Sequence, residues 1–179
     1  VHLGGGLASA TVIASGVLGA ITGGHYGATV IMSKLALPEM RKRNYSDSLA
    51  GSCIAAAAPL AIIIPPSVSM IFYGVLTETS VAKLFMGGLV PGIMLAICFC
   101  ITIGIMCRRN KTLGPAGPKA DRKTRLKVTI GLIPIAILIF LVLGTVYTGV
   151  CTTTESGAIG AVGALVIALF MGAVNPKML

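Results

Sequence analysis

The chain has 179 residues, of which 55% are hydrophobic and 11% are charged, and its formal net charge is +9. A soluble domain carries roughly 25% charged residues, so this composition excludes an ordinary soluble protein and indicates an integral membrane protein. The positive charge does not indicate nucleic-acid binding, because eight of the fourteen basic residues lie in one stretch between two apolar segments, residues 108–127.

The first apolar segment, residues 3–37, has a polar, glycine-rich centre at residues 22–27. The part after this centre would form only about 15 Å of helix, whereas the hydrocarbon core of a bilayer is about 30 Å thick. Because the second arm is too short to cross, we expect residues 1–38 to form a re-entrant helical hairpin with its tip at residues 22–27. The backbone of the tip would have to lie in protein or water.

The second apolar segment, residues 49–76, contains no charge but is interrupted by Pro59, Pro65 and Pro66. Proline has no backbone N–H and its ring clashes with the preceding turn, so a helix cannot run undisturbed through a proline pair. In a bilayer such a break is tolerated where the freed carbonyl groups are buried in protein or line a polar cavity. We therefore expect a proline-broken transmembrane helix over residues 49–76, of the kind that binds ions and substrates in transporters.

Three further apolar segments predict transmembrane helices over residues 84–106, 128–150 and 155–174. The basic loop at residues 107–127 is expected in the cytoplasm, because positive charge favours that side of the membrane. This orientation also places residues 39–48 in the cytoplasm, in agreement with the basic cluster Arg41-Lys42-Arg43, and the hairpin then enters from the same side. The protein is expected to be multi-pass, with the lipid bilayer as a direct partner.

The acidic residues argue against an enzyme, because no carboxylate pair and no Ser/His/Asp arrangement can be assembled from the sequence. No cofactor is expected, and the five cysteines lack zinc-type spacing. Thr152 and Glu155 have the spacing of a capping box at the start of the last helix, which favours a structural role over a direct functional one. His25 lies at membrane depth, where an ionisable group is a functional candidate. A hydrogen bond to the tip backbone, a proton-linked role and contact with substrate or water all stay open for it.

The hairpin tip and the proline break have one property in common, since each is expected to leave backbone amides and carbonyls without helical partners near the middle of the membrane. Helix N-termini attract anions, and C-terminal carbonyl groups attract cations. A tip that faces a broken helix can therefore bind Na⁺ beside a carboxylate without a charged side chain, although simple packing bends would give the same pattern. The candidate binding residues are Thr22, Gly23, Gly24, His25, Pro65, Pro66 and Ser67.

Four stretches of this sequence resemble a known family. The run IPPSVSMIFYGVLTETS from Ile64 and its continuation KLFMGGLVPG from Lys83 resemble the large membrane subunit of tripartite ATP-independent periplasmic (TRAP) transporters. The stretches PEMRKRNY from Pro38 and TTTES from Thr152 resemble the same family. The resemblance covers nearly the whole chain and the order of its elements.

The resemblance implies a sodium-driven importer of organic anions, such as C4-dicarboxylates or sialic acid, in the bacterial inner membrane. It also implies two partners, a periplasmic substrate-binding protein and a small TRAP membrane subunit. The family has two inverted repeats, each with a hairpin and a broken helix, which move as an elevator. This chain would be mainly the first repeat, one half of an all-α transporter, and we expect it to be a fragment of a longer polytopic protein.

The chain departs from the family pattern near the expected cation site. Gly24 and His25 replace small hydroxyl residues of the tip, while Pro59 and Ala61 replace a threonine and a glycine before the proline pair. Backbone carbonyl groups would then have to supply the missing ligands. The alternatives are a proton-coupled carboxylate carrier of related fold, which His25 favours, and a degenerate, non-transporting membrane fragment.

Overall fold

The computed structural model describes residues 4–110, 112–115 and 122–170, and these residues form eight helices and no strand. The all-α prediction is therefore confirmed for the described residues. Two compact units are present, Val1–Ala120 and Asp121–Leu179. The helices are α1 Gly6–Thr22, α2 His25–Lys42, α3 Asp47–Ala57, α4 Leu60–Ile63, α5 Val68–Leu76, α6 Val81–Arg109, α7 Arg122–Tyr147 and α8 Thr153–Phe170.

Helix α1 is the centre of the first unit and packs against α2, α3, α4 and α6. Small side chains dominate its buried face, and they let neighbouring helix backbones approach closely, as in membrane helix packing. The buried residues of α1 are Ala8, Thr11, Val12, Ser15, Gly16, Gly19 and Ala20. Sequence reasoning did not identify this role of α1, although the recurrence of small residues at helical spacing indicates it.

Helices α1 and α2 form the two arms of the predicted hairpin, joined by Gly23 and Gly24. Helix α1 ends because Gly23 adopts a left-handed conformation with φ 67°, which glycine reaches without a Cβ clash. The predicted short second arm is wrong, because α2 has 18 residues and continues through Pro38 to Lys42. Its extension is stabilised by Met40, whose side chain is fully buried against α1 and α3 neighbours.

The length of α2 changes the argument for a re-entrant path. Eighteen residues correspond to about 27 Å of helix, so arm length alone no longer rules out a crossing, and the re-entrant hairpin stays a prediction. The expected loop at residues 39–48 is shortened to residues 43–46, because α3 begins at Asp47 with Ser46 as its N-cap. The Ser46 hydroxyl accepts a hydrogen bond from the Leu49 N–H at 3.2 Å, which satisfies one of the unpaired amides of the first helical turn.

The proline-rich segment contains two interruptions of different severity. At Pro59 the backbone stays in the right-handed helical region, with φ −59° and ψ −26°, so the chain is only kinked between α3 and α4. At Pro65 and Pro66 the chain leaves the helix, and Ile64 and Ser67 on either side are extended. The axes of Asp47–Ile63 and Val68–Leu76 differ by 44° as a result.

The described residues contain one helix, Val81–Arg109, that is long and apolar enough to cross a membrane, or two crossings if the bent pair counts as one span. Helix α6 begins before and ends after the predicted span 84–106. It continues past residue 106 because Arg108 and Arg109 lie in its last turn, where cations interact favourably with the free carbonyls. Hydropathy detects only the apolar part of such a helix.

The second unit consists of α7 packed on α8. Helix α7 starts at Arg122, before the predicted span 128–150, because lysine and arginine are good helix formers that hydropathy does not count. It ends at Tyr147, and Gly149 is left-handed with φ 70°. Helix α8 begins at Thr153, two residues before the predicted span 155–174, and residues 171–174 of that span lie outside the described residues.

Candidate ion and substrate site

The hairpin tip lies directly against the proline break. The Val68 N–H donates a hydrogen bond to the Gly23 carbonyl at 2.9 Å. A Cβ atom on Gly23 would lie 2.8 Å from Val68 Cγ2, so a larger residue cannot take its place without a shift. The tip and the break, which the sequence led us to expect to face each other, are therefore in direct contact.

The contact between tip and break depends on the packing of α1 against α4. A Cβ atom at Gly19 would overlap Ala61, and one at Gly16 would lie 3.2 Å from Ile64 Cδ1. Sequence reasoning identified Ala61 only as a departure from a family pattern. In the structure Ala61 is fully buried, and its small side chain sets the distance between the hairpin and the broken helix.

Ser67 is the most unusual polar residue of this region. It is fully buried, and its hydroxyl has no hydrogen-bond partner among the described residues. It is the N-cap residue of α5, yet its side chain makes no capping bond. A buried polar group without a partner costs about 1–3 kcal/mol, so this hydroxyl has the free bonding capacity that a bound ion, water or substrate would use.

The proline pair removes helical hydrogen-bond donors from the end of α4. Pro65 and Pro66 have no N–H, so the carbonyl groups of Ala61 and Ile62 lose their helical donors. The carbonyl oxygen of Ile63 faces α6, where a Cβ atom on Gly88 would lie 2.7 Å from it. Free carbonyls at the end of α4 favour a cation, and the amides of the first turn of α5 beyond Val68 favour an anion.

Thr22 and Gly24 stabilise the turn at the tip. The Thr22 hydroxyl lies 2.9 Å from the Leu18 carbonyl and 3.0 Å from the Gly24 carbonyl. Because a hydroxyl has one proton, it can donate to only one of these oxygens at a time. Gly24 is extended, with φ −157°, and a Cβ atom there would meet nothing within 4 Å. The tip therefore depends on glycine at position 23 but not at position 24.

His25 is the first residue of α2 and lies beside Tyr26. The two ring centroids are 4.0 Å apart, with 37° between the ring planes. Within the described part of the chain, the imidazole makes no hydrogen bond to the tip backbone, and Tyr26 is 79% exposed. The sequence left three roles open for His25, and the structure gives no support to one of them, the hydrogen bond to the tip backbone.

Thr152 and Glu155 have the hydrogen bonds of a capping box. The Glu155 carboxylate accepts from the Thr152 N–H and from the Thr152 hydroxyl, both at 2.8 Å. In return the Glu155 N–H donates to the Thr152 hydroxyl at 3.3 Å. The carboxylate is therefore engaged in starting α8, as the capping-box spacing indicates.

Comparisons with known proteins agree on one family. The model of the family described as "Tripartite ATP-independent periplasmic transporter, DctM component" matches residues 2–178. The C4-dicarboxylate TRAP transporter large permease protein DctM of Pseudomonas aeruginosa is 34% identical, over 95% of this chain and 39% of its own length. The ectoine/5-hydroxyectoine large permease protein UehC of Ruegeria pomeroyi is also 34% identical, over 93% of this chain and 38% of its own length.

A more distant relative carries a third substrate in its name. The sialic acid TRAP transporter large permease protein SiaM of Vibrio cholerae is 27% identical, over 97% of this chain and 39% of its own length. The chain thus spans about two fifths of the length of the relatives it matches. Relatives that are all similar to this chain are therefore named for different substrates.

Proposed function

Because the chain belongs to the DctM component family of TRAP transporters, we propose that it is part of a permease that imports a small organic anion across the bacterial inner membrane. The substrates in the names of the three relatives described above, a C4-dicarboxylate, ectoine and sialic acid, all carry a carboxylate group. A carboxylate is the group that free amides at a helix N-terminus bind. A C4-dicarboxylate or a similar carboxylate is therefore the proposed substrate class, and a small membrane subunit and a periplasmic binding protein are the proposed partners.

The observation that carries this proposal is the Ser67 hydroxyl, which has no partner within the described part of the chain and lies beside the contact between tip and break. A small cation such as Na⁺ accepts hydroxyl and carbonyl oxygens as ligands. The carbonyl groups lie at the end of α4, and the Ser67 hydroxyl lies at the start of α5. Bound there, Na⁺ would hold the tip against the break and would place positive charge beside the substrate carboxylate. Ion binding and substrate binding would then favour each other, which is the requirement for coupled transport.

The test is uptake of labelled carboxylates into proteoliposomes that contain the full-length subunit with both partners. A Na⁺ gradient and a pH gradient are imposed separately, at equal membrane potential. We expect uptake to follow the Na⁺ gradient. Uptake that responds to neither gradient would contradict ion-coupled transport and favour the non-transporting alternative.

A pair of serine variants tests the role of Ser67 in the same assay. Loss of a ligand to a charged group removes about 1.5–3 kcal/mol of binding free energy, so Ser67→Ala should raise the half-saturating Na⁺ concentration roughly tenfold or more. Ser69→Ala is the matched control, because Ser69 lies two residues further along α5 and is exposed. Equal Na⁺ dependence of the two variants would remove Ser67 from the proposed site.

Proton coupling is the second candidate, and the position of His25 at the tip favours it. Histidine is the side chain whose ordinary pKa allows protonation near neutral pH. If protons drive uptake, transport should follow the pH gradient, ignore Na⁺, and lose its pH dependence in His25→Gln. If Na⁺ drives uptake, His25→Gln should leave the choice of driving ion unchanged.

A further inference from the structure

The end of the hairpin opposite the tip is closed by a set of contacts that the proposed function does not use. We call this set the base clasp and define it as Gly5, Tyr45, Cys107, Leu113 and Gly114. Two consecutive carbonyl groups each bind one end of the hairpin. The Gly5 N–H, just before α1, donates to the Gly114 carbonyl at 3.0 Å, and the Ser46 N–H, just after α2, donates to the Leu113 carbonyl at 3.0 Å.

Tyr45 joins the same two ends through its side chain. Its hydroxyl accepts a hydrogen bond from the Leu7 N–H at 3.2 Å, which satisfies an amide in the first turn of α1 that has no partner within the helix. The ring is buried and lies against Gly114, where a Cβ atom would be 2.8 Å from Tyr45 Cε1. Tyr45 lies in the turn after α2, and its side chain therefore connects this turn to the start of α1 and to the segment after α6.

Cys107 connects these contacts to α6. Its thiol is buried, and it would lie 2.7 Å from a Cβ atom on Gly5 and 2.9 Å from one on Gly114. Gly5 also has φ 76°, a conformation that favours glycine. The segment after α6 is itself fixed by the Leu113 N–H, which donates to the Asn110 carbonyl at 3.2 Å. The base clasp is thus closely packed and includes the last turns of the longest helix.

From this arrangement we propose that the base clasp stays closed throughout the transport cycle, so that the hairpin moves together with α6 and can separate from its surroundings only at the tip. The inference rests on the proposed transport function. If the hairpin base separated from the segment after α6, the amides of Gly5 and Ser46 would both lose their protein acceptors, whereas separation of tip and break requires the loss of one backbone hydrogen bond, from Val68 to Gly23. The clasp is therefore a positioning device for the tip.

A designed disulfide tests whether the clasp ever opens. In a disulfide the two Cβ atoms lie about 3.5–4.5 Å apart, and a Cβ atom on Gly4, just before α1, would lie 3.6 Å from Cys107 Cβ. Gly4→Cys should therefore cross-link the start of the hairpin to Cys107 of α6 under oxidation, in a full-length subunit whose other cysteines are replaced. Gly4→Ala controls for the added Cβ atom, and the reduced protein controls for the thiol.

We expect the cross-linked protein to keep uptake within about twofold of its reduced form, because a contact that never opens can be locked without loss. Uptake that falls about tenfold on oxidation and returns on reduction would overturn the proposal, because it would show that opening is part of the cycle. Failure of the disulfide to form would also overturn it, by contradicting the proximity of the two positions.

Hydrogen exchange gives a readout that does not depend on transport. The amides of Gly5, Leu7 and Ser46 should be protected in the full-length subunit, and Tyr45→Phe should increase exchange at Leu7 about tenfold while Ser46 stays protected. Exchange of all three amides in the unmodified protein at the rate of an exposed loop would overturn the clasp. If the unmodified subunit transports nothing while these amides are protected, the proposed function fails and the closed base stands.

Discussion

The two ends of the hairpin differ in how completely their polar groups are bonded. At the base, the amides of Gly5, Leu7 and Ser46 each have a protein acceptor. At the tip, one backbone hydrogen bond reaches the break, and the buried Ser67 hydroxyl beside it has no partner among the described residues. A fully bonded end gains nothing from a ligand, whereas an end with unmet bonding capacity is stabilised by one. The same pair of helices thus combines a fixed base with a tip suited to binding.

The largest expected effect comes from the packing that holds the tip in place. Gly19→Leu would put a side chain where a Cβ atom alone overlaps Ala61, and we expect the free energy of unfolding to fall by about 3 kcal/mol or more. Thermal unfolding of the full-length subunit in detergent measures the effect. The control is Gly87→Leu, also in a helix, where a Cβ atom meets nothing within 4 Å. Equal melting temperatures would show that α1 and α4 are not in such close contact.

At the base, Gly5→Ala should have the next largest effect. The variant combines a left-handed backbone, φ 76°, with a Cβ atom 2.7 Å from Cys107 Sγ, and we expect a loss of about 2–3 kcal/mol. Gly149→Ala has a similar φ of 70° but open space around the Cβ atom, so it should lose only about 1 kcal/mol. A loss at Gly5 no greater than at Gly149 would mean that the thiol yields easily and the clasp is loose.

Removal of one hydroxyl from the clasp should have a moderate effect. Tyr45→Phe leaves the Leu7 N–H without its acceptor, and we expect a loss of about 1 kcal/mol in the free energy of unfolding. Tyr73→Phe is the matched control, because Tyr73 is 58% exposed. Indistinguishable unfolding of the two variants would indicate that water replaces the Tyr45 hydroxyl at no cost.

The smallest effect on stability is expected at the tip, and its sign is opposite. Ser67→Ala removes a buried hydroxyl for which residues 4–110, 112–115 and 122–170 offer no partner, so the protein should be unchanged or stabilised by up to about 1 kcal/mol when no ion is bound. Ser15→Ala removes a buried hydroxyl that donates to the Thr11 carbonyl at 2.8 Å and should be destabilising. A destabilised Ser67→Ala in Na⁺-free buffer would indicate that the hydroxyl already has a partner.

The sequence predicted the helical class, the turn at the hairpin tip and the proline break, because glycine and proline act locally. Gly23 ends α1 through its own backbone conformation, and Pro65 and Pro66 end α4 through their missing N–H groups. The sequence did not predict the length of α2, since hydropathy stops at the charged residues after Pro38 while the burial of Met40 continues the helix. It also missed Val68, whose role depends on a backbone N–H that has no side-chain signature.

The amino-acid sequence by itself determined the membrane class, the positions of the helix breaks and the resemblance to TRAP permeases. These properties depend on composition and on residues that act within one turn of themselves. Only the tertiary structure decided that Val68 bonds to Gly23 where the tip meets the break, that Ser67 is buried without a partner among the described residues, and that residues 113 and 114 close the base of the hairpin. Contacts of this kind join segments that lie far apart in the chain, and they depend on where the packing of small residues along α1 places its neighbours.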